Sequence, residues 1–325
     1  MIERALIGLI LSFAVSAALA PGLIRLLREL GVQTFHWLKH DVDNRLFYQL
    51  HEKKIGTPTM GGLLMLGVTA VFAAALYPSP HTWVFLAGFV SFAMLGLLDD
   101  VSKALVKAGL RQDDFAAAPK LVAQLALALG VAALLHVVLG RHSVGLPIVG
   151  PVELSAAYVA VAALVMVTVA NAANITDGLD GLAGGLAVIA LTAFVVVSIL
   201  KDAPEAAILS AVLAGATLGF LLFNVHPARV IMGDVGSMGL GVGLALVALL
   251  ADALVPLLVV AGVFAAELLS SFVQKIALRR GRRVFKIAPL HHHLEALGWP
   301  ETRITQTFWV VGAMLAYAGV LASLL

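Results

Sequence analysis

The sequence predicts an all-α polytopic membrane bundle of about ten transmembrane helices, and three observations carry that prediction. Hydrophobic residues make up 61% of the 325 and charged residues only 12%, where a soluble domain carries about a quarter charged residues. Mean hydropathy is +1.01. Apolar runs of membrane-spanning length recur along the chain, and polar residues gather in short clusters at their ends.

A span needs about 20 mostly apolar residues. Ten candidates follow in order, at roughly 5–27, 59–78, 82–98, 120–139, 154–172, 182–200, 206–224, 236–251, 255–278 and 304–324. In the first, Ala18-Leu19-Ala20 imitates a signal-peptide cleavage site. One Arg beside one Glu makes a weak positive leader, and the apolar run continues past Pro21 to Leu30, so a retained helix is expected. Several runs are short, and polar residues interrupt the ninth. No soluble domain fits between the runs, so residues 1–325 are expected to form one integral membrane domain. The absence of cysteine excludes disulfides, thiolate zinc sites and iron–sulfur ligation.

Basic residues orient the bundle. With ten spans, the loops at 28–58, 99–120, 173–181, 225–235 and 279–303 share one side. In or next to them stand 18 of the 21 Lys and Arg residues; Arg4, Arg141 and Lys201 fall on the other side. The first set is therefore expected in the cytoplasm and both termini outside. Acidic and imidazole groups are costly in a bilayer and usually functional when kept. All four polar clusters fall in this cytoplasmic set: Asp99-Asp100, the stretch 171–180, Met232-Gly233-Asp234 and His291-His292-His293.

Each cluster has its own chemistry. Adjacent carboxylates at 99 and 100 repel, so one tends to bind a proton or cation; a solvated helix end with Lys103 alongside is the plainer alternative. Asn171, Asn174, Asp177 and Asp180 recur every third residue, a series that drifts by about 60° per step around a continuous helix. With Gly178 and Gly181 this points to a helix ending or broken beside a polar cavity. Asp234 lies between Gly233 and Gly236 at a span start, where free N–H groups suit a phosphate and a hard oxygen suits Mg²⁺. Three consecutive histidines point in different directions and are not expected to form one three-histidine metal site. Lys54, Thr59 and Lys120 flank span starts, each lysine being equally a phosphate clamp or an orienting charge. The run Arg279, Arg280, Arg282 and Arg283 is read as an orienting, headgroup-facing segment. Glu267 is the deepest carboxylate and requires a partner the sequence does not name.

The motifs GTPTMGG, LLDD, NAANITDGLDGLAGG, NxxPAxVxMGDVGS and PLHHHLExxGWPE occur in this order from about Lys54 to the C-terminus. Together they resemble the phospho-N-acetylmuramoyl-pentapeptide transferases, within the wider polyprenyl-phosphate sugar-1-phosphate transferases. The resemblance implies transfer of phospho-MurNAc-pentapeptide from UDP-MurNAc-pentapeptide to undecaprenyl phosphate with Mg²⁺, giving lipid I and UMP. It also implies a homodimer in the bacterial inner membrane with its site facing the cytoplasm; no nucleic-acid partner is expected. Carried over motif by motif, Asp234 is the Mg²⁺ ligand, and Asp99, with Asp100 beside it, deprotonates or positions the lipid phosphate. Lys54, Thr59, Lys120, Asn174, Asp177, Asp180, Asn224, Gln274, His291, His292 and His293 shape the nucleotide–diphosphate site.

The chain departs from the family pattern at residues 31–52, in the length of the loop before Lys120, and at Ile231, where a Phe is usual. A related N-acetylhexosamine-1-phosphate transferase is the nearest rival, disfavoured by the His triplet and GWPE. A cation-coupled transporter would place its ionisable groups near mid-membrane, and here nearly all carboxylates lie at span ends.

Overall fold

The computed structural model describes residues 2–33, 54–107, 117–146 and 148–325. Twelve α-helices and one small hairpin make up the described residues. In chain order they are α1 (Ile2–Glu29), α2 (Gly62–Leu76), α3 (Pro80–Lys107), α4 (Ala117–Val137), β1 (Ser143–Leu146), β2 (Gly150–Glu153), α5 (Ala157–Thr176), α6 (Leu182–Leu200), α7 (Pro204–Asn224), α8 (Gly233–Leu250), α9 (Leu254–Val260), α10 (Gly262–Arg279), α11 (Leu290–Ala296) and α12 (Glu301–Ala322). The expected loop at 31–52 falls mostly outside the described residues.

The ten apolar runs map onto helices, with two departures from simple spans. Eight helices are long and apolar enough to cross a membrane. The ninth run is broken at Ala261, so α9 and α10 meet at 70°. The second run forms α2, which has only 15 residues, or about 22 Å of helix. It still traverses the bundle. Its first N–H groups lie at one end, where Gly61 donates to Ile231 O and Gly62 to Met232 O, each at 2.9 Å. Just past its last residue, the Tyr77 hydroxyl donates to Glu205 at the start of α7, 3.2 Å away. The run at 139–154 adds a feature the sequence reading did not anticipate. It folds into an antiparallel hairpin with Val144 opposite Val152, pinned where Gly145 N–H donates to Asp252 at 2.9 Å.

α8 is the centre of the bundle, and every residue from Val235 to Leu250 is buried. A helix apolar all round can only sit in such a place. Its glycines admit neighbouring backbones. A Cβ on Gly62 of α2 would lie 2.2 Å from the Gly236 Cα, and one on Gly96 of α3 would lie 2.2 Å from Asp234 O. These two crossings set how closely the polar ends of α3 and α8 approach. Outward-facing residues are large and apolar, including Leu164, Val310, Met314 and Tyr317, each more than 60% exposed. That is the surface of a molecule solvated by lipid, where helices satisfy their own backbone groups.

Successive helices alternate direction, and all the polar clusters collect at one end of the bundle. Both termini lie at the other end. Ala5 packs with Ile208 and Val212 near the start of α7, and Ile148 N–H of the hairpin donates to the Leu325 carbonyl.

Candidate active site

The C-terminal ends of α3, α5, α7 and α10 meet the N-terminal ends of α2, α4, α6, α8 and α12 at this end of the bundle. The shared end holds two ionic clusters.

The first cluster surrounds Asp234, in the first turn of α8. Asp234 Oδ1 accepts from the Asn174 amide at 3.0 Å, and that amide also reaches Ser237 Oγ at 2.9 Å. Asp234 Oδ2 faces two ammonium groups, Lys120 at 2.6 Å and Lys103 at 3.1 Å. The same two lysines lie 2.9 Å from Asp99 Oδ2. Asp99 and Asp234 are thus bridged by positive charge, on a buried carboxylate and a half-buried one. Lys103 had figured in the sequence only as a neutralising charge beside the Asp pair. It sits one helical turn after Asp99, so its reach to Asp234 depends on the α3–α8 crossing.

Asp100 points elsewhere. Its carboxylate accepts from the backbone N–H groups of Asp234 at 3.1 Å and Val235 at 3.0 Å. It therefore caps the start of α8 from a neighbouring helix, where orphan N–H groups and the helix dipole favour a negative charge. Gly233 adopts φ +76, and a Cβ there would lie 2.7 Å from Asp100 Oδ2.

The second cluster surrounds the turn 177–181. α5 ends at Thr176, so Asn171 and Asn174 are helical and face different neighbours, Asn171 bonding Gln124 of α4 at 2.7 Å. Asp177 caps the helix end and is half-buried. Burial pushes its carboxyl well above the usual range, and the negative charges of Asp234 and Asp100 push it further. Asp180 accepts from Ala228 N–H at 2.9 Å and from Lys54 at 2.8 Å. Its own N–H donates to Glu301 Oε1 at 2.6 Å. Burial favours the neutral acid at Asp180, but the Lys54 charge and the hydrogen bonds from Lys54 and Ala228 N–H together outweigh it and hold the carboxyl below the usual range. Burial lowers the Lys54 ammonium, and Glu301 and Asp180 more than offset that, leaving it raised.

Asp180, His226 and Glu301 present ligand atoms within 4.8 Å of one another. The Lys54 ammonium already lies 2.8 Å from Asp180 and 2.5 Å from Glu301. It supplies the positive charge a metal would bring, so this group is an ion-pair cluster. Glu301 and His226 went unrecognised in the sequence as site residues. Their signals were the last residue of GWPE, which opens α12, and the His of NVHPAR.

The remaining expected residues frame these clusters. Asn224 accepts from Gly181 N–H and donates to Val230 O at 2.9 Å, tying the turn to the strip before Asp234. Thr59 lies in the segment paired with that strip and donates its N–H to Val32 O. Gln274 accepts from Val284 and Phe285 N–H and donates to Phe285 O, so its amide organises the loop leading to α11. The three histidines diverge as expected. His291 meets Glu267 at 2.9 Å, His292 meets Glu295 at 2.6 Å, and His293 Nδ1 accepts from Lys286 N–H. Burial, then neighbouring His291, holds His292 well below the usual histidine range, as a neutral ring. Ile231 is half-buried, its N–H donating to Pro58 O at 2.8 Å.

The donor set around Asp234 fits Mg²⁺. That ion takes hard oxygens, commonly one or two carboxylates completed by substrate phosphates, and Asp234 and Asp99 are such donors; the ammonium groups of Lys103 and Lys120 lie between them, as Lys54 does in the second cluster, and a metal would take their place.

The chain is similar to known proteins over nearly its whole length. A family model described as glycosyl transferase family 4 matches residues 82–252. A phospho-N-acetylmuramoyl-pentapeptide-transferase of Halalkalibacterium halodurans is 36% identical over 330 residues, covering 97% of each chain. Proteins of the same name from Geobacillus and Bacillus subtilis are 37% and 36% identical, each alignment covering 98% of both chains.

Proposed function

The chain belongs to the phospho-N-acetylmuramoyl-pentapeptide-transferase family, and from that premise we propose that it transfers phospho-MurNAc-pentapeptide from UDP-MurNAc-pentapeptide to undecaprenyl phosphate, releasing lipid I and UMP. The observation that carries this reading is the pair of carboxylates, Asp99 and Asp234, bridged by Lys103 and Lys120 at 2.6 to 3.1 Å. A phosphate attacking a diphosphate is anion meeting anion, so the site must hold several positive charges and a fixed line of attack.

In this reading, an oxygen of the lipid phosphate attacks the sugar-linked phosphorus of the UDP-sugar. A new P–O bond forms, the bond to the bridging oxygen breaks, and UMP leaves with that oxygen. Asp99 ends an apolar span, so it takes the acceptor's remaining proton or orients its phosphate. Lys103 and Lys120 turn their ammonium groups to the diphosphate oxygens. Asp234, held by Asn174, is the Mg²⁺ ligand. When bound, Mg²⁺ neutralises the diphosphate and the departing UMP. The turn 177–181, with Lys54, Asn224 and the His segment, holds the nucleotide and sugar. The basic split orients this end to the cytoplasm of a bacterial inner membrane, where a soluble nucleotide and a membrane lipid can meet. The working unit is a homodimer.

The test is purified protein with undecaprenyl phosphate and Mg²⁺, offered either UDP-MurNAc-pentapeptide or UDP-N-acetylglucosamine. A lipid product from the first substrate is expected. Product from the second alone would assign the chain to the related hexosamine transferases.

A further inference from the structure

Glu267 lies on α10, six residues past the break at Ala261, and is wholly buried. A carboxylate in such a place requires hydrogen-bond partners. Both its oxygens find them on one residue. Oε1 accepts from the His291 backbone N–H at 3.1 Å, and Oε2 lies 2.9 Å from His291 Nδ1. One proton lies between Oε2 and Nδ1; with Glu267 ionised the carboxylate only accepts, and Nδ1 carries it. The other edge of the ring is fixed as well. A Cβ added to Gly178 would lie 2.2 Å from His291 Nε2, so that edge rests against the backbone of the turn between Asp177 and Asp180. His292 stacks edge-on to the ring, with centroids 4.1 Å apart, and is itself tied to Glu295.

A line of contacts thus runs from α10 through an imidazole into the turn that carries two site carboxylates. We infer that Glu267 is a positioning residue that acts through His291: it fixes the proton on Nδ1 and the plane of the ring, and thereby the place of the 177–181 turn. Glu267 does not touch substrate. Its side chain meets the ring at Nδ1, while Nε2 faces the turn. The arrangement also explains Gly178, since a side chain there would collide with the ring that Glu267 holds.

Only the turnover arm of the test rests on the proposed reaction; the spectroscopic arm stands without it. Full-length protein labelled with ¹⁵N-histidine in nanodiscs is measured by NMR, with the His291 signal assigned by its loss in His291→Gln. The wild type is expected to show a protonated Nδ1, and a bare Nδ1 overturns the inference with no variant needed. In Glu267→Gln, the protonation pattern of His291 shifts. Turnover falls roughly 10- to 100-fold, by analogy with the loss when the hydrogen-bond partners of metal-ligating histidines are removed. In a His291→Gln background, Glu267→Gln adds little further loss, since the ring contact is already gone and only the bond from the backbone N–H remains. Unchanged His291 signals in Glu267→Gln, or a full additional loss in the double variant, overturns the inference. Absence of transfer in the wild type, with Nδ1 protonated and sensitive to Glu267→Gln, rejects the proposed reaction and leaves the positioning role standing.

Discussion

The two adjacent aspartates at 99 and 100 have different work, and replacing Asp100 separates them. Asp100 accepts two backbone N–H groups, from Asp234 at 3.1 Å and Val235 at 3.0 Å. In Asp100→Ala both donors remain buried at the start of α8 with nothing to accept them. An orphaned buried donor costs about 1–3 kcal/mol, so two cost roughly 2–6 kcal/mol. Removing one negative charge relieves little repulsion at Asp234, because Lys103 and Lys120 already neutralise it. The expected loss is therefore several kcal/mol, a large part of the stability of an ordinary domain. Asp100→Asn keeps one accepting oxygen and should fall between wild type and alanine. The assay is the thermal unfolding midpoint in detergent for Asp100→Ala, Asp100→Asn and Asp99→Asn. A graded fall across the two Asp100 variants is expected, with a smaller change for Asp99→Asn, whose lysine partners still pair with Asp234. A wild-type midpoint for Asp100→Ala would refute the cap.

Asp99→Asn should lower turnover while the affinity for UDP-sugar, measured by calorimetry, changes little, since its role is felt in the transition state; wild-type turnover would defeat that role. Asp234→Asn should remove Mg²⁺-dependent turnover in a protein that stays folded, and near-normal activity at limiting Mg²⁺ would place the metal elsewhere. Asp180 has its folded carboxyl held below the usual range. Its stabilisation is present above the unfolded value of about 3.9 and is lost as pH falls through the lower folded value. Asp180→Asn should therefore flatten the acid limb of stability measured below about pH 4, and an unchanged acid limb would show that the Lys54 bridge contributes nothing. Tags at both termini should be accessible from outside intact cells, and a protected C-terminus would overturn the orientation.

Local composition determined much of this protein. Apolar runs of spanning length became helices because a bilayer leaves backbone groups no other partner. The parity of those runs placed all the polar clusters at one end and both termini at the other. Asn171 and Asn174 show a limit of local reading. Their spacing, with Gly178 and Gly181, pointed to a helix that ends or breaks here, and α5 does end at Thr176; it did not show that each amide is satisfied by a different neighbouring helix. Glycine-rich stretches around 178 and 233 announced close approaches, though not what would approach.

Tertiary structure decided the partners. Asp99 and Asp100 are identical and adjacent in sequence, yet their side chains diverge on α3. One meets two lysines from two helices and the other meets the start of α8. Glu301 and His226 gave no strong local signal, because a glutamate after GWP and a histidine before a proline serve equally as caps and turn residues. They became site residues only when α12 and the loop after α7 closed on Lys54. Glu267 could be recognised in the sequence as a buried charge in need of a partner. Naming His291 as that partner required the packing of α11 against α10, which brings together residues 24 apart in sequence. Spans and their ends follow from the free energy of transfer into lipid, which each segment expresses by itself. Ion pairs follow from which helix ends are brought within about 3–4 Å, and that distance belongs to the whole bundle.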